Sequence, residues 1–512
     1  MVSSLLINFL LFFIVAYGFR NVQILSIFIS RCLKVILLTG LCWLVITAVG
    51  YLATPLFFDH AEANISAVAS YILKGNPVYT SLDAAARYSL LYGPWPYLMA
   101  AFFQSLGGST VLLGKLPGVI NLGILFTAAI WLNSELKTSK FNKVFVIGIL
   151  AMPLLGYYNF SYWNRPDSFV TAYAFLSFAF AVKSHRIGGA LSAVCIGLLA
   201  GLAVSCKLHS ALYFLPTIAY LWETQKFQIN FANISACLLA FLAGIVLPFM
   251  LRHVDAEAYL MWLKMAANHG LGWKDFARNL TFISSFLLFA YFIGVFRRSK
   301  FTFLALLLVS GLIATVASKP GAGVHHFMPL IPLILWLCSK CYFEMDSDER
   351  RRANIFVTAF LLTLSLNAIN RQKRIVKLFS ETAERKHEFA DLQNLTKDLE
   401  GDVELGYSTN AKYESSFYKT WLVGEDKGLL LDGAALMDMK ASRLDIPPST
   451  LKVIKSCKIS YFVFPKEGEP WSLLSFYSDE PLFSPEFKGL FQSTYYKVRE
   501  TEFFALYQCK SP

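Results

Sequence analysis

Charge is what this chain has least of, and acidic charge above all. Only 16% of its 512 residues are Asp, Glu, Lys or Arg, against 56% hydrophobic residues and a mean hydropathy of +0.50. That balance excludes a soluble globule of this length and marks a polytopic membrane protein. The acids are also unevenly spread. Residues 1–370 hold 13 of the 34, beside 26 Lys and Arg, whereas residues 371–512 hold 21 acids and 20 bases. The net charge of +12 therefore belongs to the first part, in short loops between hydrophobic runs. This distribution argues against nucleic-acid binding and suits loops that meet anionic lipid head groups.

Internal repeats and low-complexity tracts are missing, so neither a solenoid nor a pair of broken half-transporters is indicated. The nine cysteines are dispersed. Cys338 and Cys341 have CxxC spacing but lie in an apolar run without other ligand types, which argues against a metal or redox motif. Cys457 and Cys509 are alone in the polar tail and can pair if that tail faces an oxidising compartment.

Hydrophobic runs long enough to cross a bilayer, or nearly so, fall at 34–54, 111–133, 143–159, 168–183, 188–206, 208–222, 232–251, 279–296, 301–317, 327–343 and 353–369. The pattern predicts a polytopic α-helical membrane protein with about 11 transmembrane helices. Residues 4–19 read as either one further span or a signal-like segment, and the lack of an evident small-residue cleavage site favours a retained one. The aromatic stretch 90–106, broken by Gly93-Pro94-Trp95-Pro96, reads as a helix lying at the interface. Residues 1–370 then form a transmembrane domain. Residues 371–512 form a soluble α+β extracytoplasmic domain, with a polar helix near 380–400 and β-like runs such as Ile459–Phe464.

Charge fixes the orientation. If the 34–54 span runs outward, 14 cations fall inside: Arg31, Lys34, Lys137, Lys140, Lys143, Lys183, Arg186, Lys226, Arg297, Arg298, Lys300 and Arg350 to Arg352. The short outer turns hold one each, Arg165, Lys207 and Lys319. Arg371, Lys373 and Arg374 break the pattern, but long domains translocate largely regardless of charge. Two longer outer loops, about 55–110 and 252–278, remain; the second has the mixed composition of a head-group-level flap.

Three polar clusters share that outer face, and groups so expensive near hydrocarbon are functional candidates. The first is Asp59 and Glu62. Asp-x-x-Glu at a helix start is a capping box, and it is also a place where a carboxylate can take a proton from an attacking hydroxyl; Glu62 can do the first while Asp59 does the second. The second is Trp163-Asn164-Arg165-Pro166-Asp167. Its Arg165 and Asp167 either close the turn as a local ion pair or leave Arg165 to bind phosphate, with Pro166 opening the next helix. The third is Lys319-Pro320-Gly321-Ala322-Gly323 with His325 and His326, a set that suits an anionic leaving group. The two imidazoles leave room for a divalent metal without a ligand set that requires one. Lys207 either snorkels or serves the same site. Tyr92, with Trp95 and Tyr97, fits an aromatic belt or a substrate-stacking surface.

Taken together, Phe58-Asp59-x-x-Glu62, Gly75-Asn76-Pro77-Val78-Tyr79, Leu91-Tyr92-Gly93-Pro94, Asn164-Arg165-Pro166-Asp167, Gly201-Leu202-Ala203 with Lys207, and Lys319 to Gly323 with His325 and His326 resemble the GT-C superfamily of integral-membrane glycosyltransferases. That superfamily includes the protein O-mannosyltransferases and the bacterial aminoarabinose transferase. The resemblance spans residues 34–370. It implies a GT-C-like catalytic membrane domain and inverting transfer of a sugar from a polyprenyl-phosphate donor to an acceptor hydroxyl, with Asp59 as base. The acceptor is a lipid, a glycan or a protein. Glu62 then supports Asp59, and Arg165, Asp167, Lys207, Lys319, His325, His326 and Tyr92 are the expected substrate-binding residues. The resemblance fixes no cofactor and leaves a divalent metal open. Many relatives carry adjacent Asp-Glu pairs, whereas His60 follows Asp59 here. The compact single-chain layout points to a bacterial inner membrane. The competing readings are a transporter or lipid-linked sugar flippase, and a scaffolding membrane protein with a binding tail.

Overall fold

Helices occupy the hydrophobic runs. The computed structural model describes residues 23–225, 230–409 and 413–510, so the 4–19 segment lies outside it. Among the described residues four helices are long and apolar enough to cross a membrane by length and composition: Arg31–Ala53, Thr110–Asn133, Phe231–Met250 and Ser347–Ser380. Shorter apolar helices form at Pro166–Val182, Gly189–Val204, Lys300–Val316 and Ile331–Phe343. This is the architecture of a polytopic membrane protein.

Proline decides where several of these helices begin and break. Pro166 opens its helix at the first turn, where a missing amide costs nothing. The 208–222 run is not one helix. A 3₁₀ segment, Leu208–Phe214, precedes Leu215–Thr224, whose first turn contains Pro216. The Lys140–Gly156 helix carries Pro153 and gives way to a short aromatic turn, Tyr158–Ser161.

Packing divides the chain into two units. The first comprises Met1–Tyr51, Gly118–Leu247 and Leu271–Val376. Within it, the Gly189–Val204 and Phe231–Val246 helices touch backbone to backbone: a Cβ at Gly201 would stand 2.2 Å from the Phe241 carbonyl oxygen and 2.8 Å from the Gly244 Cα. Small residues at a contact between apolar helices allow that approach, where lipid supplies no hydrophobic drive.

The second unit comprises Leu52–Pro117, Pro248–Gly270 and Lys377–Pro512. It gathers both long loops and the polar tail, so it is discontinuous in sequence. Its centre is a four-stranded sheet of order β1-β2-β4-β3, with β1 Val403–Leu405, β2 Tyr461–Pro465, β3 Tyr495–Glu500 and β4 Phe504–Cys509. β1 and β2 run parallel; the other pairs are antiparallel. Phe462, Phe464, Trp471 and Phe491 form its buried aromatic core. Cys457 and Cys509 are joined in a disulfide, with Cα atoms 5.7 Å apart.

Backbone bonds sew the loops to this sheet domain. Arg87 pairs with Leu431 as an isolated parallel bridge, the Arg87 amide donating to Leu430 at 2.6 Å and the Asp432 amide to Arg87 at 2.6 Å. The Val78 amide donates to His253 at 2.7 Å, and Thr420 Oγ1 donates to the Ala63 carbonyl at 3.1 Å. The aromatic stretch forms the Trp95–Gln104 helix, with Pro96 in its first turn.

Candidate active site

The His60–Leu73 helix starts on an acid pair because it starts on a capping box. Asp59 is the N-cap, extended at φ −145° and ψ 139°, and its Oδ1 accepts the Ala61 amide at 2.8 Å. Glu62 reaches back, its Oε1 accepting the amides of Asp59 at 3.1 Å and Phe58 at 2.6 Å. Three backbone donors at the helix start are thereby satisfied. The two carboxylates differ in access. Glu62 is fully buried, whereas the Asp59 side chain keeps 14% of its surface, beside His60 Nδ1 at 3.9 Å. At the far end Gly75, at φ +88°, takes the left-handed position that closes the helix, its amide donating to Ile72 at 2.9 Å.

Lys115, buried in the same unit, holds the chain just before Asp59. Its Nζ donates to the carbonyls of Thr54 at 2.8 Å and Leu56 at 2.6 Å, and lies over the rings of Phe57 and Phe58. The ammonium also feels the Glu62 charge. Loop, helix start and acid pair are thus tied to one cation.

The first unit holds a second cluster. Asp167, in the first turn of Pro166–Val182, accepts from Lys207 Nζ at 2.8 Å, and both side chains are nearly buried. Asp167 Oδ2 is buried with no hydrogen-bond partner among the described residues. Phe160, in the aromatic turn, is sandwiched: the Arg165 guanidinium lies 4.5 Å from its centroid and the His325 ring stacks at 4.0 Å with a 4° tilt. His326 Nδ1 faces His209 Nε2 at 3.1 Å, and the His326 carbonyl accepts from Tyr213 Oη at 2.6 Å. Lys207, His325 and Arg165 are the charges that act on Asp167. Three cationic or protonatable groups around an aromatic ring and one carboxylate can hold an anion of fixed geometry.

Among solved structures, the chain matches ArnT from Cupriavidus metallidurans bound to undecaprenyl phosphate with a TM-score of 0.59 at 12% identity, over 92% of this chain and 97% of that one. The apo state of the same protein matches with a TM-score of 0.54 at 10% identity, over 93% and 98%. The chain shares the fold of that protein along nearly its whole length. No family model matches the sequence, and no curated protein does.

Within this fold the expected residues divide between the units. Arg165, Asp167, Lys207, His325 and His326 come together in the first, as the outer-face topology anticipates. Asp167 pairs with Lys207, which turns to that carboxylate instead of snorkelling. Lys319 sits in the turn after Lys300–Val316, and its charge reaches His209. Asp59, Glu62 and Tyr92 belong to the second unit; the Tyr92 carbonyl accepts from Tyr79 Oη at 2.6 Å. Among the described residues no group of three or more His, Cys, Asp and Glu side chains is placed to hold a metal ion. Cys338 and Cys341 are free buried thiols. Sequence reasoning missed Lys115, Phe160 and His209. Lys115 had a signal, a lone cation at the mouth of an apolar run between Gly114 and Pro117.

Proposed function

We propose that this protein transfers a sugar from a polyprenyl-phosphate donor to an acceptor hydroxyl at the outer face of a membrane, with inversion. The observation that carries the reading is a fold shared along nearly the whole chain with ArnT, whose structure holds undecaprenyl phosphate. The side chains supply the two capabilities that the chemistry needs.

Asp59 is the base. Its neighbour Glu62 is engaged by backbone amides, which leaves Asp59 as the accessible carboxylate of the pair. A cap position favours the carboxylate anion; loss of water when substrates bind raises its affinity for a proton. Asp59 accepts the acceptor's hydroxyl proton as that oxygen bonds to the anomeric carbon. The bond from that carbon to the phosphate oxygen breaks on the opposite side, and its electron pair leaves with polyprenyl phosphate. Arg165, Lys207 and Lys319 furnish countercharge for the leaving group, His325 and His326 offer it ring N–H hydrogen bonds, and Asp167 holds Lys207 in place. The disulfide between Cys457 and Cys509 supports an extracytoplasmic second unit, since such bonds persist in oxidising compartments. A bacterial inner membrane with a periplasmic second unit fits this orientation.

The test is turnover of radiolabelled polyprenyl-phosphate sugar in membranes lacking other transferases. Asp59→Asn is expected to insert normally and to lose about 10²–10⁴ in rate, the usual contribution of a general base. Near-normal turnover in that variant refutes the assignment. Movement of the intact donor between leaflets without product marks a flippase instead.

A further inference from the structure

Arg371, Lys373 and Arg374, the cations that break the loop-charge pattern, take no part in the transfer chemistry. They lie on the Ser347–Ser380 helix, in the stretch that belongs to the first unit. The beginning of that helix treats its cations differently. There Arg351 pairs with Asp348 at 3.8 Å and Arg298 with Glu349 at 3.3 Å. Arg350 donates to the carbonyls of Phe343 and Met345 at 3.1 Å and 2.9 Å. At 371–374 no cation forms an ion pair with a carboxylate among the described residues; the next pair along the helix is Lys377 with Glu381 at 3.5 Å. The helix dipole does not account for these charges, because its pull on cations fades within the last turn, where Lys377 is the only base.

Two further observations point outward from the helix. The Arg371 guanidinium lies 4.7 Å from the Tyr157 ring centroid, and its Nε is buried with no hydrogen-bond partner among the described residues. A cation held against an apolar unit without countercharge is costly, and an anion relieves that cost. The second observation is a stripe. Leu366, Ile369, Lys373 and Val376 recur at helical spacing and are all exposed, the three apolar ones by 48%, 55% and 50%. Lys373 stands one turn, about 6 Å, beyond Ile369, and the adjacent Arg374 is exposed too. The level of this turn is fixed by packing: Trp43 Nε1 donates to Gln372 Oε1 at 3.0 Å, and Gln372 Nε2 donates to the Leu155 carbonyl at 2.7 Å.

We propose that Arg371, Lys373 and Arg374 dock the head group of an anionic glycerophospholipid whose acyl chains run along Leu366 and Ile369. An apolar stripe that ends in unpaired cations complements a molecule whose hydrocarbon ends in a phosphate. Free phosphate would leave the stripe uncovered, and a zwitterionic lipid would leave the cations without net countercharge. Only the leaflet rests on the outward orientation proposed above. Lys373→Cys, labelled beyond the parent's background by a membrane-impermeant maleimide from outside, checks that orientation separately. Labelling from the cytoplasmic side alone overturns the orientation whatever the lipid result.

The docking itself is tested by native mass spectrometry of the full-length protein in detergent. The probes are phosphatidylglycerol, phosphatidylcholine with the same chains, a polyprenyl phosphate and inorganic phosphate. The parent is expected to retain phosphatidylglycerol in preference to phosphatidylcholine. Arg371→Gln, Lys373→Gln and Arg374→Gln should each weaken that binding about fivefold, one cation's share of the attraction to an anionic lipid surface. Lys497→Gln with Arg499→Gln, which removes two exposed cations from β3, should leave it unchanged. Equal retention of the two glycerophospholipids, or unchanged phosphatidylglycerol affinity in the three single variants, overturns the proposal. So does displacement of the lipid by inorganic phosphate at equal concentration, or a loss confined to polyprenyl phosphate.

Discussion

Two buried lysine–carboxylate clusters, one in each unit, look alike in composition and differ in how completely they are satisfied. In the second unit Lys419 lies 3.7 Å from Glu404 and 3.8 Å from Asp432, donates to the Leu431 carbonyl and stands over the Tyr407 ring. Glu404 Oε2 accepts the Leu430 amide at 2.5 Å, and Asp432 caps the Gly433–Ala441 helix. Every member is engaged, and the bonds run into the strand segment that pairs with Arg87. In the first unit Lys207 meets Asp167 at 2.8 Å, but Asp167 Oδ2 is left with no hydrogen bond among the described residues. A closed network fixes a fold; an open one is set up to receive something.

The largest effect should come from breaking the closed network. Lys419→Met leaves two carboxylates buried without their cation and is expected to cost about 3–5 kcal/mol, read as a lowered thermal midpoint by tryptophan fluorescence. Adding Glu404→Gln and Asp432→Asn should return most of that loss, with transfer following the amount of folded protein. The open cluster should behave in the opposite way. Asp167→Leu with Lys207→Met, an apolar replacement of the pair, is expected to leave stability close to that of the parent. It should lower turnover by about 10²–10³, as for a lost electrostatic donor at a developing charge. An active double variant would make both clusters scaffolding.

The same contrast explains what could be read from the sequence. Asp59-x-x-Glu62 carries its capping geometry in its spacing, so the helix start and the reach of Glu62 back to the cap were legible. Hydropathy and loop charge anticipated the meeting of Arg165 and Asp167 with His325 and His326. What escaped was lateral. Lys207 finds Asp167 forty residues earlier, and Phe160 is one aromatic among 45 phenylalanines until Arg165 and His325 close on it. The bond between the outer loops and the tail was also hidden. It runs largely through backbone groups, such as the Arg87–Leu431 bridge, and backbone groups leave no trace in residue identity. A cut at 370 follows composition, whereas packing joins 52–117 and 248–270 to the tail.

Proton linkage should sharpen the comparison further. Burial drives the Glu404 carboxyl up to about 7, against the pull of Lys419. Its folded-state pKa therefore lies above its unfolded value near 4.5. Between those two pH values the folded protein binds more protons than the unfolded chain, so this group's contribution to stability falls as pH rises from about 4.5 to about 7 and is flat beyond. Unfolding midpoints measured across that window should decline for the parent. The decline should be smaller for Glu404→Gln, which carries no titrating group there. An identical slope in the two proteins would assign the effect to other acids.

The smallest effect concerns the link between the tail and the acid pair. Thr420 Oγ1 donates to the Ala63 carbonyl at 3.1 Å, one turn after Asp59. Thr420→Val keeps the side-chain shape and removes the donor, which should lower stability by about 1 kcal/mol. If the Lys419–Gly424 helix only buttresses the fold, turnover per folded molecule will be unchanged. If it aims the His60–Leu73 helix, kcat will fall several-fold while KM for the lipid donor stays constant, because the carboxylate is displaced and the cation cluster is untouched. The kcat and KM values of this one variant therefore decide whether the Lys419–Gly424 helix only buttresses the fold or also positions the acid pair.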